Sequence, residues 1–265
     1  YRILKEAMEL PVQKYDLVLN DFECITSIAC SRKKVKSVNF GHQASFLSPK
    51  TPRPEKISKR GEWILRNFAR TTNKIGLHFK SYDDFIFSPV IKNRIVKAEP
   101  VNDGHITVYL PSYCDEQLRN FFIRYKEFKF EIFSHRFGDY SSEKNLRFIP
   151  VTKKAFDDSL ISCFGLVTGG GFETPAEAIH LKKKLLAIPI KGQYEQQCNA
   201  AALRELGISV ADKLDKEHFE KWLNSDMYPP VSFEHSTQEV IDALMSRFSN
   251  MPTELNISYP DLIFS

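Results

Sequence analysis

Three consecutive glycines, Gly169-Gly170-Gly171, follow the apolar pair Leu166-Val167 and precede a helix-like stretch from about Thr174 to Leu181. Bare backbone at a strand-to-helix turn lets a phosphate or sugar approach closely, and a helix start favours negative charge. Glu177 lies about one turn into that helix. A carboxylate there suits a pair of hydroxyls, because its hydrogen bonds are charge-assisted. A short apolar run, Leu185 to Ile190, leads into Gly192-Gln193-Tyr194-Glu195-Gln196-Gln197 and a second helix ending at Gly207. Gln196 and Gln197 each carry donors and an acceptor, which suits sugar hydroxyls. Asn199, in the same turn, caps or braces the loop, and Gln193 and Glu195 are weaker sugar-site candidates. The order strand, glycine turn, helix, strand, polar loop, helix predicts that Glu177, Gln196 and Gln197 point to the carboxyl edge of an open α/β sheet, where ligands bind.

The pattern GGGFETPAEA followed by IPIKGQYEQQCNAAAL resembles the donor-binding half of GT-B glycosyltransferases that use a nucleotide-sugar. Within that group it is most similar to the branch holding the peptidoglycan N-acetylglucosaminyltransferase and the glycolipid-forming galactosyl- and glucosyltransferases. The resemblance implies an α/β fold of GT-B type, with two Rossmann-like parallel-sheet lobes and a cleft between them. It implies that Glu177 contacts the nucleotide ribose and that Gln196, Gln197 and Asn199 face the donor sugar. It places the base near Phe148-Ile149-Pro150, read mostly through backbone groups. It further implies an inverting, metal-independent transfer, without a cofactor, from a nucleotide-sugar donor that is UDP-linked in that branch. The acceptor it implies is a glycan or a lipid-linked molecule. The plain alternative is a doubly wound domain whose glycine turn serves some other phosphorylated ligand.

Such a transfer needs a bound diphosphate, an oriented sugar, an acceptor hydroxyl and a base. The leaving diphosphate gains negative charge, which backbone amides and helix starts stabilise. Gly169, Gly170 and Gly171 with Thr174 would supply amides, and Ser112 in Pro111-Ser112-Tyr113 is a second candidate phosphate contact. Ser134-His135-Arg136 follows another strand and could face the diphosphate. Glu173 suits the helix dipole rather than catalysis. For the base, strand ends in the first half offer Asp21 and Glu23 in NDFE and His42 in GHQ. GHQ resembles a His-Glu-Gln-Asn segment of the peptidoglycan enzyme that borders the acceptor site. That enzyme's base comes from an earlier glycine-rich loop not found here, so an ordinary loop role stays open for both Asp21 and His42. His78, His105, His180, His218 and His235 show no convincing partners in the sequence.

At 265 residues the chain is long enough for one large or two modest domains, and 42% hydrophobic with 26% charged residues is ordinary for a globular protein. A formal charge of +4 is too mild to argue for nucleic acid. The charge is uneven, however. Residues 32–70 include Arg32, Lys33, Lys34, Lys36, Arg60, Arg66 and Arg70. Such a region is either a solvated face or a peripheral contact with an anionic membrane. The cysteines at 24, 30, 114, 163 and 198 form no C-x-x-C pair, which argues against a zinc site or a disulfide framework. Reduced thiols fit a cytoplasmic protein. No apolar run reaches spanning length, and no signal peptide is visible. The chain opens at Tyr1 inside a helical pattern, so preceding sequence is expected.

The pattern predicts a partial acceptor-side lobe over 1–98, a donor lobe over 99–232, and a closing helix and tail over 233–265. In the first lobe, strands are expected at Tyr15–Leu19, Val35–Phe40, Ile75–Phe79 and Phe85–Val90. Helices are expected at 1–10, 24–31 and 61–74, the last burying Trp63, Ile64, Leu65 and Phe68 along one side. This lobe reads as short of its opening strands. In the second lobe, strands at Ile106–Leu110, Phe128–Ser134 and Leu146–Pro150 alternate with helices at Cys114–Phe122 and Lys153–Ser162. Closing helices are expected at Glu217–Trp222 and Thr237–Phe248. Other functions fit the same residues: an epimerase or hydrolase on this fold, or a nucleotide-sugar-binding subunit without catalysis.

Overall fold

The structure, a computed structural model, describes residues 2–135, 141–226 and 231–248. Short apolar runs separated by amphipathic helices give two parallel sheets. The first part contains α1 (Arg2–Glu9), β1 (Leu19–Asn20), α2 (Cys24–Lys33), β2 (Val38–Gly41), α3 (Lys59–Asn67), β3 (Asn73–Leu77) and β4 (Ile86–Phe87). Its four strands lie in the order β1-β2-β3-β4, all parallel. A linker with α4 (Asn93–Val96) follows.

The second part runs β5 (His105–Tyr109), α5 (Asp115–Phe122), β6 (Lys129–Ser134), β7 (Ser141–Glu143), β8 (Leu146–Pro150), α6 (Lys153–Ser162) and β9 (Gly165–Gly169). It continues with α7 (Glu173–His180), β10 (Lys184–Ile188), α8 (Tyr194–Glu205), β11 (Ser209–Val210) and α9 (Lys216–Asn224). The sheet order is β11-β10-β9-β5-β6-β8-β7, with only β7 antiparallel to its neighbour. Successive residues of a strand face opposite sides. Leu166, Leu185 and Ile149 therefore join one apolar layer, while Val167, Leu186 and Phe148 join the other with Phe122, Phe219 and Trp222. From β5 the chain builds outward in both directions, so the crevice between β5 and β9 is the topological switch point.

The last described helix, α10 (Thr237–Phe248), returns to the first sheet. Its Val240 and Leu244 are buried against Val38, Ile75, Leu77 and Phe87.

Three expectations change. The Tyr15–Leu19 strand shrinks to Leu19–Asn20, since β1 is an edge strand with one partner, and Tyr15 is 62% exposed. Helix α3 stops at Asn67, and its buried residues are Gly61 and Leu65, one turn apart. Trp63, at 65% exposure, and Phe68 face outward instead. Finally, α4, the antiparallel β7 and the short β11 add to the expected elements. No described helix is long and apolar enough to cross a membrane.

Candidate functional site

The turns after β5 and β9 flank the switch-point crevice. Ser112 is exposed in the first, and the three glycines form the second. A Cβ built on Gly171 meets nothing within 4 Å, so this backbone opens onto free space. At Gly170 a Cβ would lie 2.9 Å from the Gln196 backbone oxygen and from Pro189 Cβ, which leaves room for no side chain. The Gly170 N–H donates to Gln196 Oε1 at 3.1 Å, and the Ile190 N–H donates to the same oxygen at 2.9 Å. Gln196 therefore ties the two motif turns together, and its oxygen is occupied. Helix α7 opens at Phe172 without a side-chain cap, so its first N–H groups point outward, with Thr174 half-buried beside them. Gln193 is exposed and Gln197 half-buried, and neither side chain makes a hydrogen bond among the described residues.

Glu177, in the middle of α7, is held in an ion pair. It is 3% exposed, and its Oε1 is 3.0 Å from Lys92 Nζ in the linker before α4. The same ammonium reaches Asp157 at 3.4 Å. Burial raises the Glu177 pKa, and Lys92 is the main opposing influence. Burial also works against the Lys92 charge, but Glu177 and Asp157 outweigh it and raise that pKa. The Phe148 and Ile149 side chains are buried in the two apolar layers, which leaves the backbone of β8 for any base contact. Ser134 is buried at the end of β6, and His135 Nε2 lies 3.2 Å from the Tyr109 hydroxyl. Arg136 lies outside the described residues.

The first part presents its strand ends to this crevice. His42 follows β2 and is 6% exposed. Its Nδ1 lies 3.0 Å from the Leu77 carbonyl and its Nε2 lies 2.7 Å from Asn199 Oδ1. Asn199 Nδ2 donates to the Gly170 carbonyl at 3.1 Å. The imidazole stacks on Phe172 at 3.8 Å between centroids, with planes 7° apart. Burial lowers its pKa, opposed first by Glu195, whose carboxylate is 3.9 Å from Nε2. Gln43 Nε2 donates to the same carboxylate at 3.3 Å.

Asp21 is exposed and lies over Gly41, where a Cβ would sit 2.4 Å from Asp21 Oδ1. Partial desolvation raises its pKa, followed by the charges of Glu173 and Glu195. Its carboxylate makes no hydrogen bond among the described residues. Glu23, by contrast, caps α2: its two oxygens accept the Ile25 and Thr26 amides, both at 2.7 Å, and these bonds hold its carboxyl below the ordinary value against the burial that opposes them.

The structure thus brings together Asp21, His42, Glu195, Gln196, Asn199 and the glycine turn, while Glu23 caps α2, Glu177 pairs with Lys92, and the Phe148 and Ile149 side chains lie in the apolar layers. Sequence reasoning missed Lys92, Gln43 and Phe172. Gln43 and Phe172 sit inside the quoted motifs, but Lys92 carries no local signal.

Residues 4–225 match the model of Glycosyl transferase family 1. No curated protein sequence matches the chain significantly. Among solved structures, Arabidopsis thaliana UGT89C1 complexed with UDP superposes with a TM-score of 0.60 at 11% identity, over 93% of this chain and 76% of that one. LpCGTa in complex with UDP gives 0.58 at 14% identity, over 93% and 79%. The spinosyn forosaminyltransferase SpnP gives 0.51 at 14% identity, over 84% and 70%. These likenesses show a shared GT-B fold. With its two parallel sheets, its switch-point crevice and a family match along most of its length, this chain belongs to Glycosyl transferase family 1 and is a GT-B glycosyltransferase.

Proposed function

We propose that the protein moves a sugar from a UDP-linked donor to a hydroxyl of a glycan or glycolipid acceptor, with Asp21 as the general base. The donor diphosphate would lie against Gly171 and the uncapped start of α7, near Ser112 and Thr174, with Gln193 and Gln197 toward the sugar. The acceptor would enter from the side of residues 1–98, opposite the donor-holding 99–232. Asp21 takes the acceptor proton, the freed oxygen attacks the anomeric carbon, and UDP leaves from the opposite face with inversion. One observation carries this reading: Asp21 is a carboxylate without a hydrogen-bond partner at the crevice, and its pKa is raised. A raised pKa makes a stronger base near neutral pH. Glu195 and Glu173 nearby favour positive charge developing on the sugar ring. A cytoplasmic site at the inner face of a membrane belongs to the same reading, supported by exposed Trp63 among Lys59, Arg60 and Arg66.

A thermal-shift panel of nucleoside diphosphates and their sugar conjugates tests the donor. A ligand at 100 times its Kd adds about 2.7 kcal/mol of stability. Absence of any shift with UDP or UDP-sugars sinks the proposal. Release of UDP at the same rate with and without acceptor would point to a hydrolase or epimerase instead.

A further inference from the structure

The first part carries a second cavity at the opposite end of its sheet from the crevice. It holds about 690 Å³ and lies where α3 ends, β3 and β4 begin, and α10 finishes. Arg66, Arg70, Lys74 and Arg247 line it, and Asp84 is the one carboxylate among its lining residues. Arg66 is paired with Glu62 at 3.4 Å. The other cations are not paired with acids among the described residues. The Arg70 guanidinium rests on the Asn67 side-chain oxygen. The Lys74 ammonium lies 3.9 Å above the Phe85 ring. Arg247 donates to the Asp84 backbone carbonyl at 3.4 Å.

The turn from Arg70 into β3, which carries Lys74, is hydrogen-bonded to α2 and β2. Ser27 Oγ donates to the Arg70 carbonyl at 2.6 Å. Thr71 Oγ1 accepts the Asn39 amide at 3.2 Å and donates to the Asn73 carbonyl at 2.7 Å. Thr72 Oγ1 exchanges bonds with the Ser37 backbone at 2.9 and 2.8 Å. Like charges fixed around one concavity repel each other unless an anion joins them. The volume exceeds what inorganic phosphate fills and falls in the range of small-ligand sites, about 300–1,000 Å³.

We propose that this cavity binds a phosphate-bearing anion, its phosphate seated between Arg70, Lys74 and Arg247 and the attached group lying along Phe85. The site is separate from the donor crevice and does not depend on the donor reading. The phosphate could belong to a soluble ester or to a lipid headgroup, since exposed Trp63 stands one turn before Asn67 on the same helix.

The test is calorimetric titration of the full chain with pyrophosphate, in the presence and absence of saturating UDP, alongside flotation with phosphatidylcholine vesicles with and without phosphatidylglycerol. The variants are R70Q/K74Q and, independently, R247Q, each checked by thermal melting. The expected result is pyrophosphate binding that persists with UDP present and weakens at least tenfold in both variants, with UDP affinity unchanged. Flotation that needs phosphatidylglycerol, is competed by pyrophosphate and is lost in the variants assigns the phosphate to a lipid. Pyrophosphate binding without flotation assigns it to a soluble ester. No binding of either probe, or binding that the variants leave unchanged, overturns the proposal. Failure of UDP itself to bind bears only on the donor reading.

Discussion

His42 has two ring nitrogens and both face acceptors: the Leu77 carbonyl and, because Asn199 gives its amide to Gly170, the Asn199 oxygen. A neutral ring carries one proton for the two, and a charged ring satisfies both at the cost of burying a cation. Burial prevails and lowers the pKa, so His42 reaches an acceptor hydroxyl only after its contact with Asn199 parts. Asp21 has no such tie. Replacing it with Asn should lower kcat by about 10²–10⁴-fold, the usual scale for a general base, while the Kd for UDP-sugar measured by calorimetry stays within a factor of two or so. His78 is buried beside His42, and burial likewise holds its pKa well below the usual value of 6.5. A histidine lowered in the fold charges first in the unfolded chain, so its stabilising contribution is present above pH 6.5 and is lost on acidification. Glu177, raised in the fold, acts in the opposite sense. The melting temperature should therefore fall less steeply between pH 7 and 5 in His78→Phe than in the parent. Phe also orphans the Phe79 amide that donates to His78 Nδ1 at 2.9 Å, which should cost about 1–3 kcal/mol at neutral pH. Parallel pH–melting curves for the two proteins would remove His78 as a source of acid sensitivity. Of these residues, the sequence marked His42 and Asp21 by their place at strand ends. It could not show that Glu23 caps a helix or that Glu177 meets Lys92, because both outcomes depend on side-chain direction and on a partner from a distant segment.

At the scale of elements, α3 and α8 meet through a missing side chain. A Cβ on Gly61 would lie 2.2 Å from Tyr194 Cδ1, and the Tyr194 hydroxyl donates to Glu62 at 2.8 Å. Gly61→Ala should cost about 1–3 kcal/mol by overpacking despite alanine's better helix propensity. Urea melts should show most of that loss recovered in the double variant with Tyr194→Ala, and an additive result would place the strain elsewhere. Gln196→Ala should orphan the Gly170 and Ile190 amides, at about 1–3 kcal/mol for each group left buried. Faster hydrogen exchange at those two amides is the measurement. Where caps and periodicity agreed, the pattern was legible to the residue: Lys153–Ser162 begins after Thr152, whose hydroxyl accepts the Ala155 amide, and Thr237–Phe248 begins after Ser236, whose hydroxyl accepts the Glu239 amide. Helix α3 turns a face inward other than the expected one because Gly61, which carries no apolar signal, shares its buried side with Leu65. Strand β7 is Ser-Ser-Glu at a sheet edge and offers no hydrophobic alternation at all.

Across the whole molecule, the two sheets meet through α8, which follows the Gly192 loop, and the glycine turn before α7. Asn199 and Glu195 of α8 hold His42 and Gln43, Tyr194 holds Glu62, and Cys198 packs with Phe46 and Leu65. Glu177 of α7 holds Lys92. Separating the lobes therefore frees Asn199, Glu195 and Tyr194 together. Asn199→Ala combined with Tyr194→Phe should increase the radius of gyration in small-angle scattering, and saturating UDP-sugar should reverse part of that increase. Identical scattering profiles for parent and variant would show that these contacts do not hold the lobes closed. The return of α10 has a consequence for biosynthesis. Val240 and Leu244 complete a core begun by Val38, and the intervening half of the chain already buries its own sheet. On the ribosome, the first sheet must wait for α10 to emerge before it reaches its native packing, while the second sheet, encoded between them, can mature ahead of it.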